Sequence, residues 1–350
     1  MERHPLWRDG NRSTMHTTFT ISLIVLFFGL TSCSTNRDVS QDDRIPVIFD
    51  TDANNELDDQ HAMAYLFFNS SHFNVKGVTV NATHSGGNID NQYAEAKRIM
   101  ILTKANDKVP LLKGADKSFV EIRESVRQSG FDGSPAVDFI IKEARKASPE
   151  KLIILAVGKL TNVALAVEKA PSIQENIRLV WLGSNYPDPG EYNQDNDTVA
   201  MNYLLNRDIP FEMVTVRYGK PSGSAAVTAT RAEIEARMPG VGPSVDTPVE
   251  GRHGGKFSNF GDYSVNLFEH IAYYDSTQSR ALFDMVAVAV VKTPEWGEQH
   301  EIPAPVLIDN KWVERPANAR KITIWENFDK KQIMDDFYSA MKKPDLVGAK

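Results

Sequence analysis

The chain has 350 residues, enough for one large core or two small ones. With 41% hydrophobic and 24% charged residues it belongs with ordinary globular proteins, not with disordered or fibrous chains. A formal net charge of -7 argues against nucleic acid as a partner, because phosphate binding asks for a basic face, and a lone Cys excludes disulfides and thiolate metal sites.

The N-terminus is a targeting segment. Residues 19–30 (FTISLIVLFFGL) are apolar and follow Arg3, Arg8 and Arg12. About a dozen apolar residues is too short to span a membrane and right for the core of a signal peptide. The run ends in Leu30-Thr31-Ser32-Cys33, which resembles the bacterial lipobox, where cleavage precedes the Cys and the Cys is lipidated. An ordinary secretory signal with an incidental Cys is the alternative. The expected organisation is a lipoprotein signal over residues 1–33 with lipidation at Cys33, a polar tether over 34–43 and one α/β domain over 44–350. The mature protein is then extracytoplasmic and held on a membrane of the bacterial envelope by its lipid.

At the head of that domain, Ile45-Pro46-Val47-Ile48-Phe49 runs into Asp50-Thr51-Asp52-Ala53-Asn54-Asn55-Glu56-Leu57-Asp58-Asp59, and a helix is predicted from Gln60. Four Asp in ten residues repel one another unless a cation is bound, and hard oxygen ligands suit Ca²⁺ or Mg²⁺. A solvated acidic turn is the bland alternative. The order strand, acidic loop, helix favours a site, because ligands of open α/β sheets bind at the carboxyl ends of strands.

The β-branched run 73–80 predicts a strand, followed by a Gly-rich loop over 81–88 and a helix over 94–104. Further strands are predicted at 109–112, 151–157, 177–182 and 211–216, and helices at 137–146, 161–170, 198–207 and 225–237. Residues 239–261, rich in Gly, Pro and Ser, read as a mobile loop or lid. Helices at 265–274 and 284–291, strands near 302–308 and 321–325, and a helix over 330–341 close the chain. Strands alternating with helices predict an open, mostly parallel sheet flanked by helices.

Asp50-Thr51-Asp52 followed by Asp58-Asp59 resembles the signature of the nucleoside hydrolases of the inosine-uridine-preferring type, Asp-x-Asp-Pro-Gly-x-Asp-Asp, with a loop two residues longer here. Three further segments resemble that family in the same order. Gly158-Lys159-Leu160-Thr161-Asn162 is similar to its Gly-Pro-Leu-Thr-Asn, and Leu182-Gly183-Ser184-Asn185 with Glu191-Tyr192-Asn193 to its Met-Gly-Gly and Glu-Phe-Asn. Phe283-Asp284-Met285-Val286-Ala287-Val288-Ala289 is similar to its His-Asp-Pro-Leu-Ala-Val-Ala.

The resemblance implies calcium held by Asp52, Asp59, Asp284 and the Val157 carbonyl, with Asp52 as general base toward water. It implies sugar contacts from Asp58, Asn88, Asn185, Glu191 and Asn193, a small ribosyl substrate, and assembly into homo-oligomers. The implied activity is hydrolysis of the N-glycosidic bond of a ribonucleoside or related ribosyl compound. A lipoprotein that binds carbohydrate or ribosyl compounds on the same metal site without turnover is the alternative.

Two departures stand out. The two His that serve the family's leaving group fall at Phe283 and Ser129, neither able to act as an acid. Replacement donors would have to come from His253, Tyr263, Tyr273 or Tyr274. Asn54 and Glu56, in the lengthened loop, are the candidates to join the metal or the substrate.

Overall fold

The computed structural model of the protein describes residues 43–146 and 150–348. The signal segment, Cys33 and all but the last residue of the tether lie outside the described residues. Eight strands build the central sheet: β1 (Ile45–Thr51), β2 (Phe73–Val80), β3 (Leu111–Lys113), β4 (Leu152–Ala156), β5 (Ile177–Leu182), β6 (Phe211–Val214), β7 (Glu298–Pro303) and β8 (Lys321–Glu326). Their order is β7-β8-β6-β5-β4-β1-β2-β3, and every neighbouring pair is parallel except β7 with β8. The α/β architecture expected from the sequence is the one found.

The interior strands read as unbroken apolar runs because helices cover both faces of the sheet. Alternate residues feed two separate cores. Val47, Phe49, Ile153 and Leu155 enter one, while Ile48, Leu152, Ile154 and Ala156 enter the other. The helix Asp58–Phe67 is buried along its whole length, packed by the helices Phe283–Lys292, Ile89–Leu102 and Lys330–Lys342. That burial brings its acidic first turn into the protein.

Several segments differ from the sequence expectation. Residues 225–237 are not one helix: Thr228–Thr230 pairs antiparallel with Ser279–Ala281, and a capping box between Thr230 and Glu233 starts the helix only at Arg231. Most of the Gly-rich stretch 239–261 is ordered. Val241, Val245, Val249 and Phe257 pack on the core, and a small hairpin joins Val249–Glu250 to Lys256–Phe257. The helix predicted at 265–274 spans Phe260–Glu269, started by the Asn259 side chain capping the Asp262 amide. The strand predicted near 302–308 is broken at Ala304 and Pro305 into β7 and Val306–Ile308. Among the described residues no helix is long and apolar enough to cross a membrane.

Strands β1, β2 and β3 step one way across the sheet and β4, β5 and β6 the other, so the order reverses between β1 and β4. Such a reversal opens a crevice at the carboxyl ends of the two strands. Asp52 follows β1 and Val157 follows β4, and the Val157 amide donates to the Asp50 carbonyl at 2.8 Å.

Candidate active site

A cavity of about 260 Å³ lies at that crevice. Asp52, Asp58, Asp59 and Asp284 line it, with Val157 from the end of β4 and Glu191 and Asn193 from the segment after β5. Asp58 and Asp59 form the first turn of one helix and Asp284 that of another, Phe283–Lys292. The two helices pack together, so their N-termini and the three carboxylates converge. Ligand oxygens of Asp58, Asp59 and Asp284 lie within 4.8 Å of one another, and all three residues are buried.

Helix N-termini favour negative charge by up to about 2 kcal/mol, yet burial and the neighbouring carboxylates raise all four acids. Burial pushes the Asp52 carboxyl up to about 7, helped by the charges of Glu191 and Asp50. Asp58 is likewise pushed to about 7 by burial and the Asp52 charge. Asp59 and Asp284 are raised well above the ordinary carboxyl range by burial and by the neighbouring carboxylates. Among the described residues no Lys, Arg or His lines the cavity to offset this charge. An all-oxygen, anionic donor set of this kind fits a hard divalent cation.

The expected and observed sets overlap without coinciding. Asp59 and Asp284 belong to the carboxylate trio. Asp58, assigned to the sugar, is its third member. Asp52 lines the same cavity outside the trio, and its Oδ2 accepts from the Thr83 hydroxyl at 2.6 Å. Val157 lines the cavity, and its carbonyl accepts from Asn193 Nδ2 at 2.9 Å, which leaves one lone pair for another partner. Glu191 caps the short helix Tyr192–Asn196, accepting from the amides of Gln194 and Ser184.

Asn185 does not line the cavity. Its Oδ1 accepts from the Tyr218 amide and its Nδ2 donates to the Pro189 carbonyl, so it holds the segment that carries Tyr218. Asn88 is exposed and caps the helix Ile89–Leu102 through the amides of Asp90 and Asn91. Its side chain serves the helix instead of the cavity.

Behind the cavity, Asp50 is fully buried and accepts from Thr79, Asn81 and Asn162 at 2.6–2.7 Å, which fixes the end of β1. Burial raises its carboxyl to about 6. Thr51 donates its hydroxyl to Asp59. At Gly158 a Cβ would stand 2.8 Å from Asp52 Oδ1 and 2.9 Å from the Asn81 amide, so only glycine leaves room for both. Ser184 takes φ +75°, a conformation that favours glycine, while its amide is held by Glu191.

Neither lengthened-loop candidate belongs to the carboxylate trio. Asn54 ties the loop to Gln92 and the Gly86 carbonyl. Glu56 lines the cavity mouth and pairs with the buried Arg280, while Arg252 donates to the Glu56 carbonyl at 2.5 Å.

Of the replacement donors, only Tyr274 lines the cavity. His253 stacks on His270 and accepts from Arg252, Tyr263 donates to Glu95, and Tyr273 to the Phe268 carbonyl. Ser129 is exposed and does not line the cavity, whereas Phe283 does. Tyr218, Thr83, Ser85 and Tyr192 were not singled out from the sequence. Tyr218 and Tyr192 follow strand ends, and that position was the available signal.

The sequence profile of the inosine-uridine preferring nucleoside hydrolase family matches residues 47–335. The chain belongs to this family. An uncharacterised protein of Schizosaccharomyces pombe is 28% identical over 223 residues, 57% of this chain and 69% of its own. The non-specific ribonucleoside hydrolase RihC of Escherichia coli is 28% identical over 158 residues, 41% of this chain and 50% of its own. RihC of Shigella boydii is 24% identical over 271 residues, 72% and 80% respectively. The matched segments thus span between half and four-fifths of these relatives.

Solved structures share the fold. A plant nucleoside hydrolase superposes with TM-score 0.66 at 16% identity, over 86% of this chain and 99% of its own. A purine-preferring ribonucleoside hydrolase from Gardnerella vaginalis gives TM-score 0.65 at 18% identity, over 85% and 98%. Family membership and the carboxylate cluster together support glycosyl hydrolase chemistry of the nucleoside-hydrolase type.

Proposed function

We propose that residues 44–350 act as one domain that hydrolyses the N-glycosidic bond of a ribonucleoside or related ribosyl compound with calcium as cofactor. The observation that carries this reading is the set of buried carboxylates, Asp52, Asp58, Asp59, Glu191 and Asp284, converging on one cavity at the reversal of the strand order. Asp59 and Asp284, with Asp52, Asp58 and the Val157 carbonyl around them, would hold the ion. Calcium, when bound, supplies positive charge that offsets the carboxylate repulsion and acidifies nearby water.

Asp52 accepts the proton of the attacking water, its second oxygen held by Thr83. Water adds to the anomeric carbon as the C–N bond breaks through an oxocarbenium-like state. Glu191 and Asn193 contact the sugar hydroxyls, and their fixed hydrogen bonds to Ser184, Gln194 and Val157 hold them ready.

The test is release of reducing sugar from a panel of ribosides, with calcium and with chelator. No release from any riboside, with sugar binding retained, sinks the hydrolase reading in favour of a binding protein. The same proposal places a lipid on Cys33, which would hold this domain on an envelope membrane.

A further inference from the structure

The cavity's lining divides into an acidic floor and an aromatic mouth. Tyr218, Tyr274 and Phe283 line it together, and the Tyr218 and Phe283 rings meet edge to face at 6.0 Å. Tyr218 is 47% exposed and Tyr274 54%, two of only six large apolar side chains left uncovered among the described residues. Two uncovered rings at one mouth are a surface waiting for a planar group.

What a planar leaving group would meet there is limited. Among the described residues no His, Lys, Arg or Cys lines the cavity. The nearest imidazole in sequence, His61, is buried, its Nδ1–H donating to the Leu57 carbonyl at 2.5 Å and its Nε2 accepting from Ser264 at 2.7 Å. Arg280 stacks over the Tyr274 ring at 4.2 Å, but its charge is engaged by Glu56 and by the Ala272 carbonyl. A tyrosine phenol ordinarily ionises at about 10, so Tyr218 and Tyr274 are weak proton donors at neutral pH.

A neutral nucleobase departs as an anion unless it is protonated, and a positioned acid is worth about 10²–10⁴-fold in such a step. A base attached through a cationic ring nitrogen needs no acid, because it departs neutral. Six carboxylates line the cavity and only Glu56 is paired with an arginine, so the acidic groups outnumber the charge of one divalent ion and the site also attracts a cation. Aromatic faces add to that attraction.

On the hydrolase reading above, we propose that the substrate is an N-ribosylpyridinium, its cationic ring seated among Tyr218, Tyr274 and Phe283. The C–N bond breaks with its electron pair going to the ring nitrogen, releasing a neutral pyridine. Water oxygen bonds to the anomeric carbon, and its proton passes to Asp52. The products are ribose, the free pyridine base and one proton.

The experiment measures kcat/KM of the calcium-loaded full chain on N-ribosylnicotinamide, inosine, uridine and p-nitrophenyl β-riboside. The pyridinium substrate is expected to exceed inosine and uridine by at least about 100-fold, the low end of an acid's contribution. A smaller ratio overturns the proposal. Cleavage of p-nitrophenyl β-riboside, whose leaving group is neither cationic nor in need of an acid, keeps the hydrolase reading standing in that event. Failure to cleave any of the four removes both. Phe283→His places an imidazole in the lining, and it is expected to shrink the pyridinium-to-inosine ratio at least tenfold. A folded, calcium-binding variant with an unmoved ratio counts against the proposal.

Discussion

Removing the divalent cation should destabilise the protein, and by more at pH 8 than at pH 5. Burial holds the Asp52 and Asp58 carboxyls near 7 from an ordinary value of 3.8, and burial with the neighbouring carboxylates raises Asp59 and Asp284 well above it. A carboxyl raised in this way binds its proton more tightly in the folded chain than in the unfolded one. Its contribution to stability is complete below about 3.8 and lost as the pH rises through about 7. One group moved by about three units, at about 1.36 kcal/mol per unit, loses roughly 4 kcal/mol by pH 8. That is a large part of the 5–15 kcal/mol that holds a typical protein together.

A cation among Asp58, Asp59 and Asp284 removes the cause of the loss and adds about 2.7 kcal/mol at a hundredfold excess over its dissociation constant. Thermal unfolding followed by circular dichroism at pH 5 and pH 8, with calcium and with chelator, reads the difference. The chelated protein should lose on the order of 10 °C in Tm between the two pH values, and the calcium-loaded protein should lose little. Chelated and loaded proteins that melt together at both pH values refute a cation at these carboxylates.

Further perturbations isolate single contacts. Asp52→Asn should cut kcat at least about 10³-fold on any riboside that is turned over, and unchanged turnover would remove Asp52 as the base. Gly158→Ala forces a methyl group against Asp52 Oδ1, so kcat/KM should fall at least tenfold while the fold, followed by circular dichroism, persists. Thr83→Ala frees the Asp52 Oδ2 that it now holds at 2.6 Å, and should lower kcat by roughly tenfold, the effect of about one hydrogen bond. Cys33→Ala should move the protein from the membrane fraction to the soluble one, and continued partitioning with membranes would count against lipidation.

The fold was readable where burial is two-sided. Residues 152–156 and 177–182 announce themselves as apolar runs because both faces of the sheet are covered. Residues 225–237 misled for the opposite reason. Their composition suits a helix, and only the distant partner Ser279–Ala281 reveals that Thr228–Thr230 is a strand. The acidic loop was legible because four Asp in ten residues have few structural uses. Asn88 was not, because an Asn before a helix reads equally as a ribose contact and as an N-cap, and the cap is what forms. Tyr218 carried only the signal of following a strand end, since its place at the cavity depends on β6 ending beside β5 and on Asn185 reaching its amide.

The two extra residues of the acidic loop look at first like a loosening of the metal site. Their contacts point the other way. Asn54 is bound on its amide and its side chain by Gln92 and Gly86, Asn55 accepts from Ser85, and Glu56 is held by Arg280 and Arg252. Those partners come from three other parts of the chain, with Ser85, Gly86 and Gln92 in one stretch and Arg252 and Arg280 apart from it. The lengthened loop therefore fixes Asp58 and Asp59 from outside as Asp50 and Thr51 fix the end of β1 from within. A carboxylate cluster that repels itself needs such restraint on both sides, because without it the cheapest relief is for the loop to swing into solvent. Glu56 and Arg280 thus keep the acidic floor together while Arg280, stacked on Tyr274, places the aromatic mouth over it.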